Sequence, residues 1–185
     1  MIMYGYEQNR RREFRIGLVL ITAAIAIAIT FLCETCTADD RVQFKWTGDR
    51  ATHQERIDGW LVRYFSKCSP YKLRRARAVL PVLLDVCERE GVSPYLVAAI
   101  VTLESTWDTE ATGKLGERGL MQVMRDNVPP DAEGQIGAGV AILKRAWEKC
   151  GTVEGAVSLY ATGASCHPYR GTALRMRLAE EIERG

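Results

Sequence analysis

The stretch from Val92 to Trp107 constrains the fold more than any other part of the chain. Its apolar residues, Val92, Tyr95 and Leu96, Ala99 and Ile100, Leu103 and Trp107, recur with the three-to-four spacing of one buried helix face. Ser93-Pro94 supplies a start signal, a small polar cap followed by proline in the first turn. Near the end of the run stands Glu104, four residues after Ile100 and eight after Leu96, so it falls on or beside that face. Burial disfavours the charged form of a carboxyl, and one that keeps its proton near neutral pH is suited to act as a general acid. The same spacing also admits a helix-end glutamate that leans out into water.

Similar punctuation divides the rest of the chain into helices. Residues 34 to 51 are polar and read as a linker, which leaves 52–185 for the domain. Thr52-His53-Gln54-Glu55 has capping-box spacing and opens a helix with Ile57, Trp60, Leu61, Tyr64 and Phe65 on its apolar face. Ser69-Pro70 starts a second helix that Gly91 closes, with Pro81 expected to kink it. Gly113, Gly116, Gly119, Pro129, Pro130 and Gly134 make 108–134 a loop region with at most short turns or strands. Ile136, Val140, Leu143 and Trp147 mark a further helix ended by Gly151, Val153 to Ala161 another, and Thr172 to Glu181 a last one with Leu174, Leu178 and Ile182 inward. No stretch sustains a period of two, so the expected fold class is mostly α.

The N-terminal end reads differently. Ile16 to Leu32 is 17 residues without a charge, roughly 25 Å as a helix and near the lower limit for spanning a bilayer. Arg10, Arg11, Arg12 and Arg15 precede it, and Glu34, Asp39 and Asp40 follow it. The asymmetry predicts a basic cytoplasmic N-terminus over 1–15, a transmembrane signal-anchor over 16–33, and a following domain outside the membrane. A cleaved secretory signal stays open, because Cys36-Thr37-Ala38 could serve as a small-residue cleavage site. Arg11-Arg12 also faintly resembles a twin-arginine signal.

Six cysteines suit an oxidising exterior. Cys33 and Cys36 have C-x-x-C spacing, but with no second pair and only two histidines, His53 and His167, the chain supports neither a metal centre nor a redox site. No cofactor is expected. Cys68 and Cys87 flank most of the second helix and would stand on the order of 25 Å apart, so they are expected not to bond to each other. Cys150 and Cys166 bracket Tyr160, and a bridge is expected there. The net charge of +2 gives no polyanion signal. Lys72, Arg74, Arg75 and Arg77 form either a solvated helix face or an attraction for anionic cell wall or lipid. No nucleic-acid motif accompanies them.

Three short motifs carry a resemblance. Glu104-Ser105, then Gly116-x-x-Gly119-Leu120-Met121-Gln122-Val123-Met124, then Tyr160-Ala161-Thr162-Gly163 resemble those of the soluble lytic transglycosylase family, which has the goose-type lysozyme fold. Gln135-Ile136-x-x-Gly139 stands where the family usually shows Asn-Ile-x-x-Gly, and the resemblance covers roughly residues 85 to 165. It implies a lysozyme-like helical domain that cleaves the β-1,4 bond between N-acetylmuramic acid and N-acetylglucosamine in peptidoglycan. Glu104 would act as acid and then as base, giving a 1,6-anhydro product. The Tyr160 hydroxyl would orient that carboxylate, and Gln122 and Met124 would line the sugar groove. Ser105, Gly119, Met121 and Gly163 are carried over as further substrate-binding positions.

With the anchor, these expectations describe an inner-membrane, single-pass protein whose catalytic domain is periplasmic. It would open the wall locally for a secretion machine, a conjugation channel or a bacteriophage. Two positions depart from the family pattern. Ala161 replaces the usual asparagine and Gly113 a common serine, which puts subsite contacts in question. Asp108, Glu110, Glu117 and Asp126, expected at the surface, keep ordinary two-carboxylate hydrolysis open. A non-catalytic wall-binding or assembly module is the third reading.

Overall fold

Side-chain caps start most of the helices of this domain. Asp49, Ser69, Asp131 and Thr152 each turn a side-chain oxygen onto a backbone N–H of the first turn, satisfying a donor that the helix itself cannot. Gly91, Gly151 and Gly163 end three of them in the left-handed conformation that glycine adopts without steric penalty. The computed structural model describes residues 43–66, 69–124 and 128–185. Residues 1–15, the 16–33 span, the first half of the 34–51 linker, Cys33, Cys36, Cys68 and Asp126 lie outside them.

Among the described residues there are six helices: α1 (Arg50–Phe65), α2 (Pro70–Glu90), α3 (Pro94–Glu104), α4 (Ala132–Cys150), α5 (Val153–Thr162) and α6 (Arg170–Arg184). The only β pairing among them is in isolated bridges. The domain is mostly helical, consistent with a lysozyme-like helical fold. No helix among the described residues is long and apolar enough to cross a membrane.

Helix α3 is the centre of the domain. The one-face stripe read from the sequence understates it, because every residue from Pro94 to Thr102 is buried. The alanines and Val97 and Val101 between the stripe positions are covered too, as expected for a helix that is apolar all round. Helices α6, α2 and α1 pack against it, while α4 pairs with α5 and α2. Only at the C-terminal end do Leu103 and Glu104 become partly exposed. Glu104 is therefore not a polar residue on an apolar stripe but the last residue of a core helix, where the helix leaves the core.

Three boundary expectations need correction. The first helix begins at Arg50, and Asp49 is its cap, accepting from Thr52 N at 3.0 Å and Thr52 Oγ1 at 2.6 Å. Thr52 is thus a partner of the cap and not the cap itself. The end of the supposed linker belongs to the domain. Phe44 is buried and stacks on Trp147 of α4, ring centroids 4.5 Å apart. Lys45 bridges Val92, Ser93 N donates to Phe44 O at 2.8 Å, and Trp46 N to Gly91 O at 3.1 Å. Polarity concealed this, because Phe44 and Trp46 are the only large apolar residues among the described positions of the segment. Finally, Leu174 of α6 is 51% exposed, and the buried face is Thr172, Met176, Leu178, Ala179 and Ile182. Helix α2 runs unbroken from Pro70 to Glu90 with Pro81 inside it.

Candidate active site

The turn after Glu104 is held by a trade between strain and burial. Thr106 and Trp107 both have positive φ, 53° and 62°, which costs a non-glycine residue on the order of 1 kcal/mol each. Trp107 is fully buried, and its Nε1 donates to Thr102 Oγ1 at 2.9 Å. Burying a side chain of this size contributes several kcal/mol by area, so burial wins. Helix α3 stops sharply with its last carboxylate at the surface of a cleft.

Two polar side chains then fix the 116–124 motif beneath that carboxylate. The Ser105 hydroxyl is 2.9 Å from the Leu120 carbonyl and 3.1 Å from that of Val101. Gln135 of α4 accepts from Leu120 N at 2.9 Å and donates to the carbonyls of Thr109 and Pro130 at 3.1 and 3.0 Å. Gly119 has φ +72°, and a Cβ there would stand 2.4 Å from Gln135 Oε1, so both conformation and space require glycine. Met121 is fully buried, and a Cβ on Gly139 would meet its Sδ at 2.3 Å. The Gln135-Ile136-x-x-Gly139 segment thus acts on the loop twice, by hydrogen bonds through Gln135 and by close packing through Gly139.

This geometry revises several expected roles. Ser105 and Met121 are buried, and both are engaged in holding the loop. Gly119 does the same by making room for Gln135. Gln122 does line the cleft, and its Nε2 also donates to Gly119 O at 2.9 Å and Ala111 O at 3.1 Å. Met124 and Gly163 line it as well, Met124 being 62% exposed. The cleft has a volume of about 850 Å³, within the usual range for ligand sites. Glu104, Glu117 and Tyr160 complete its working surface, and Lys114 and Leu115 stand at its edge.

The largest revision concerns what touches Glu104. Tyr160 was expected to orient it, but the Tyr160 hydroxyl donates to the Met121 carbonyl at 2.5 Å. The tyrosine remains close to the acid: burial first, and then the negative charge of Glu104, raise its phenol well above the ordinary value. The direct partner of Glu104 is Arg175 of α6, whose Nη2 donates to Oε1. Their side chains are 20% and 14% exposed, respectively. Nothing in the sequence pointed to Arg175. It lies 71 residues from Glu104, in a helix otherwise read for its apolar face, and only the packing of α6 on α3 brings the two together.

The other expected carboxylates separate. Asp108 is paired with Arg75 at 2.7 Å, and Arg77 with Asp58 at 2.6 Å, which takes two cations out of the proposed basic face of α2. Glu117, expected at the surface, lies in the cleft. A Cβ on Gly113 would come within 2.1 Å of its Oε2, so the glycine that replaces the family serine gives this carboxylate its room. Ala161 also lines the cleft and supplies no amide where the family pattern has one. The expected bridge between Cys150 and Cys166 is present, with Cα atoms 5.6 Å apart, and ties the end of α4 to the segment after α5. No cluster of three or more His, Cys, Asp or Glu side chains suited to a metal occurs among the described residues.

Residues 85–173 match the family model described as Transglycosylase SLT domain. The matched segment begins in α2, contains the Glu104, Gly119–Met124 and Tyr160 motifs, and ends in the first turn of α6. Arg175 lies just beyond it.

Proposed function

We propose that this chain, whose residues 85–173 are a transglycosylase SLT domain consistent with the soluble lytic transglycosylase family, is a membrane-anchored peptidoglycan lytic transglycosylase that forms 1,6-anhydro-N-acetylmuramic acid ends. The domain indicates lytic transglycosylase-type action on peptidoglycan. The observation that carries the finer reading is the carboxylate of Glu104, brought to the floor of a large cleft at the end of a core helix, with the tyrosine and loop motifs around it. Glu104 protonates the glycosidic oxygen as the bond from it to the muramyl C1 breaks. The substrate's N-acetyl group stabilises the positive charge left at C1. The Glu104 carboxylate then takes the proton of the muramyl 6-hydroxyl as that oxygen closes on C1. No water is consumed, and one residue is acid and then base.

The second reading is hydrolysis, favoured by Glu117, a second carboxylate in the same cleft that could direct a water. Anchoring rests on the charge-free run from Ile16 to Leu32 and its arginine-rich flank, and the periplasmic placement follows from that orientation. Digestion of purified peptidoglycan by the full chain, with Glu104→Gln as control, tests the main reading by mass spectrometry. Anhydro-muropeptides from the unaltered chain alone support it. Reducing ends would establish hydrolysis, and no product from either sample would leave a wall-binding module.

A further inference from the structure

A residue that serves first as acid and then as base must spend part of each cycle as an anion. In ordinary glycosidases a second carboxylate shares the work. In the reaction proposed above, on which this inference rests, Glu104 works alone, and its side chain is only 20% exposed. Charge so placed is costly unless something compensates it.

We propose that Arg175 is a positioning residue that supports the charged form of Glu104 between the two proton transfers. Its Nη2 donates to Oε1 of Glu104, while Nη1 donates to the Gly171 carbonyl at 3.0 Å, one turn back on α6. The guanidinium is therefore fixed by its own helix and does not merely follow the carboxylate. Arg175 is not among the residues that face the cleft. It contacts Oε1 and leaves Oε2, which accepts no hydrogen bond from the described residues, for the sugar. The Nε of Arg175 is buried without a partner among the described residues.

Few other ionisable groups compete for that role. On α1, His53 is bonded to Tyr95 at 2.7 Å. On α2, Arg75 is taken by Asp108 and the Thr106 carbonyl. On α5, Tyr160 is bonded to Met121 O, and on the loop across the cleft stand Lys114 and Glu117. Among the described residues, Arg175 is the cation in contact with the acid.

The balance of the cycle shows where the arginine acts. As the bond from C1 to the leaving oxygen breaks, the Glu104 proton moves to that oxygen and the carboxylate charge appears beside the guanidinium. As the 6-oxygen bonds to C1, its proton returns to Glu104 and the charge is discharged. Arg175 gives up no proton in either step.

The test is the pH profile of anhydro-muropeptide release by the full chain carrying Arg175→Met or Arg175→Lys, with thermal unfolding measured in parallel. Arg175→Met is expected to lower the maximal rate about tenfold or more and to displace the alkaline limb of the profile upward. Arg175→Lys, which keeps the charge and loses the planar fork, is expected to hold the limb near its original position and lose rate only a few-fold. A Met variant whose profile superimposes on the unaltered protein, with only the melting temperature lowered, would reduce Arg175 to a clasp between α3 and α6. Should the Met variant not fold, the Lys variant decides: a displaced limb overturns the inference. Absence of anhydro product from the unaltered chain would overturn the function proposed above and this inference together. Turnover abolished by Glu104→Gln but unmoved in profile by Arg175→Met would overturn this inference alone.

Discussion

Two segments border the cleft that Glu104 lines, and they are held in place by opposite means. The 105–124 loop is tied by hydrogen bonds from buried polar side chains, chiefly Ser105 and Gln135, to backbone groups of Leu120, Thr109 and Pro130. The segment after α5 is tied covalently through Cys150–Cys166, supplemented by the Ser158 hydroxyl on the His167 carbonyl at 2.6 Å. The first depends on complete satisfaction of polar groups in the interior, where each lost partner strands another. The second depends on the redox state of its surroundings. The difference implies that the loop under the acid is set by the fold itself, whereas the opposite border can be loosened without disturbing it.

Substitutions sharpen this contrast in order of size. Gln135→Ala should have the largest effect, since it strands Leu120 N and two carbonyls at once. A loss of about 3 kcal/mol or more is expected in denaturant unfolding, with activity falling further than stability because the loop under Glu104 shifts. Cys166→Ser, which opens a bridge of sequence separation 16, should cost about 2–3 kcal/mol yet leave most turnover at a temperature where the protein stays folded. Equal loss of activity in these two variants would break the contrast. Ser105→Ala removes one tie to Leu120 O and should cost about 1–2 kcal/mol, measured by the same unfolding curves. Met124→Ala, at a mostly exposed cleft position, should change stability by less than about 0.5 kcal/mol and show instead as weaker glycan binding. A large loss of stability there would mean the loop is anchored at its outer end as well.

Legibility in the sequence followed the range of the interaction. The cap at Ser69, the closing Gly91 and Gly151 and the loop over 108–134 are local effects, and they could be read from neighbouring residues. The Cys150–Cys166 bridge could be read because few cysteines compete for it. Tertiary placement decided what was missed. Gln135 was visible as a departure from Asn-Ile-x-x-Gly, but its three hydrogen bonds depend on a loop folded back over α4. Arg175 carries no local signal, since an arginine on an amphipathic helix is ordinary until another helix end meets it. Tyr160 was read as a partner of the carboxylate, and its hydroxyl instead donates to the Met121 carbonyl, a choice between acceptors that no spacing rule resolves. Leu174 faces outward because Thr172, Met176, Leu178, Ala179 and Ile182 make up the buried face of α6.

The packing of Phe44 on Trp147 and of Lys45 along Val92 has a mechanical consequence. These contacts grip the N-terminal end of α3, and Glu104 stands at its C-terminal end, an 11-residue helix away, about 16 Å along a rigid rod. A pull arriving through residue 43 would load the α2–α3 corner and the aromatic stack on α4 first. The acid and its arginine, at the far end of the rod, would be spared until that grip failed.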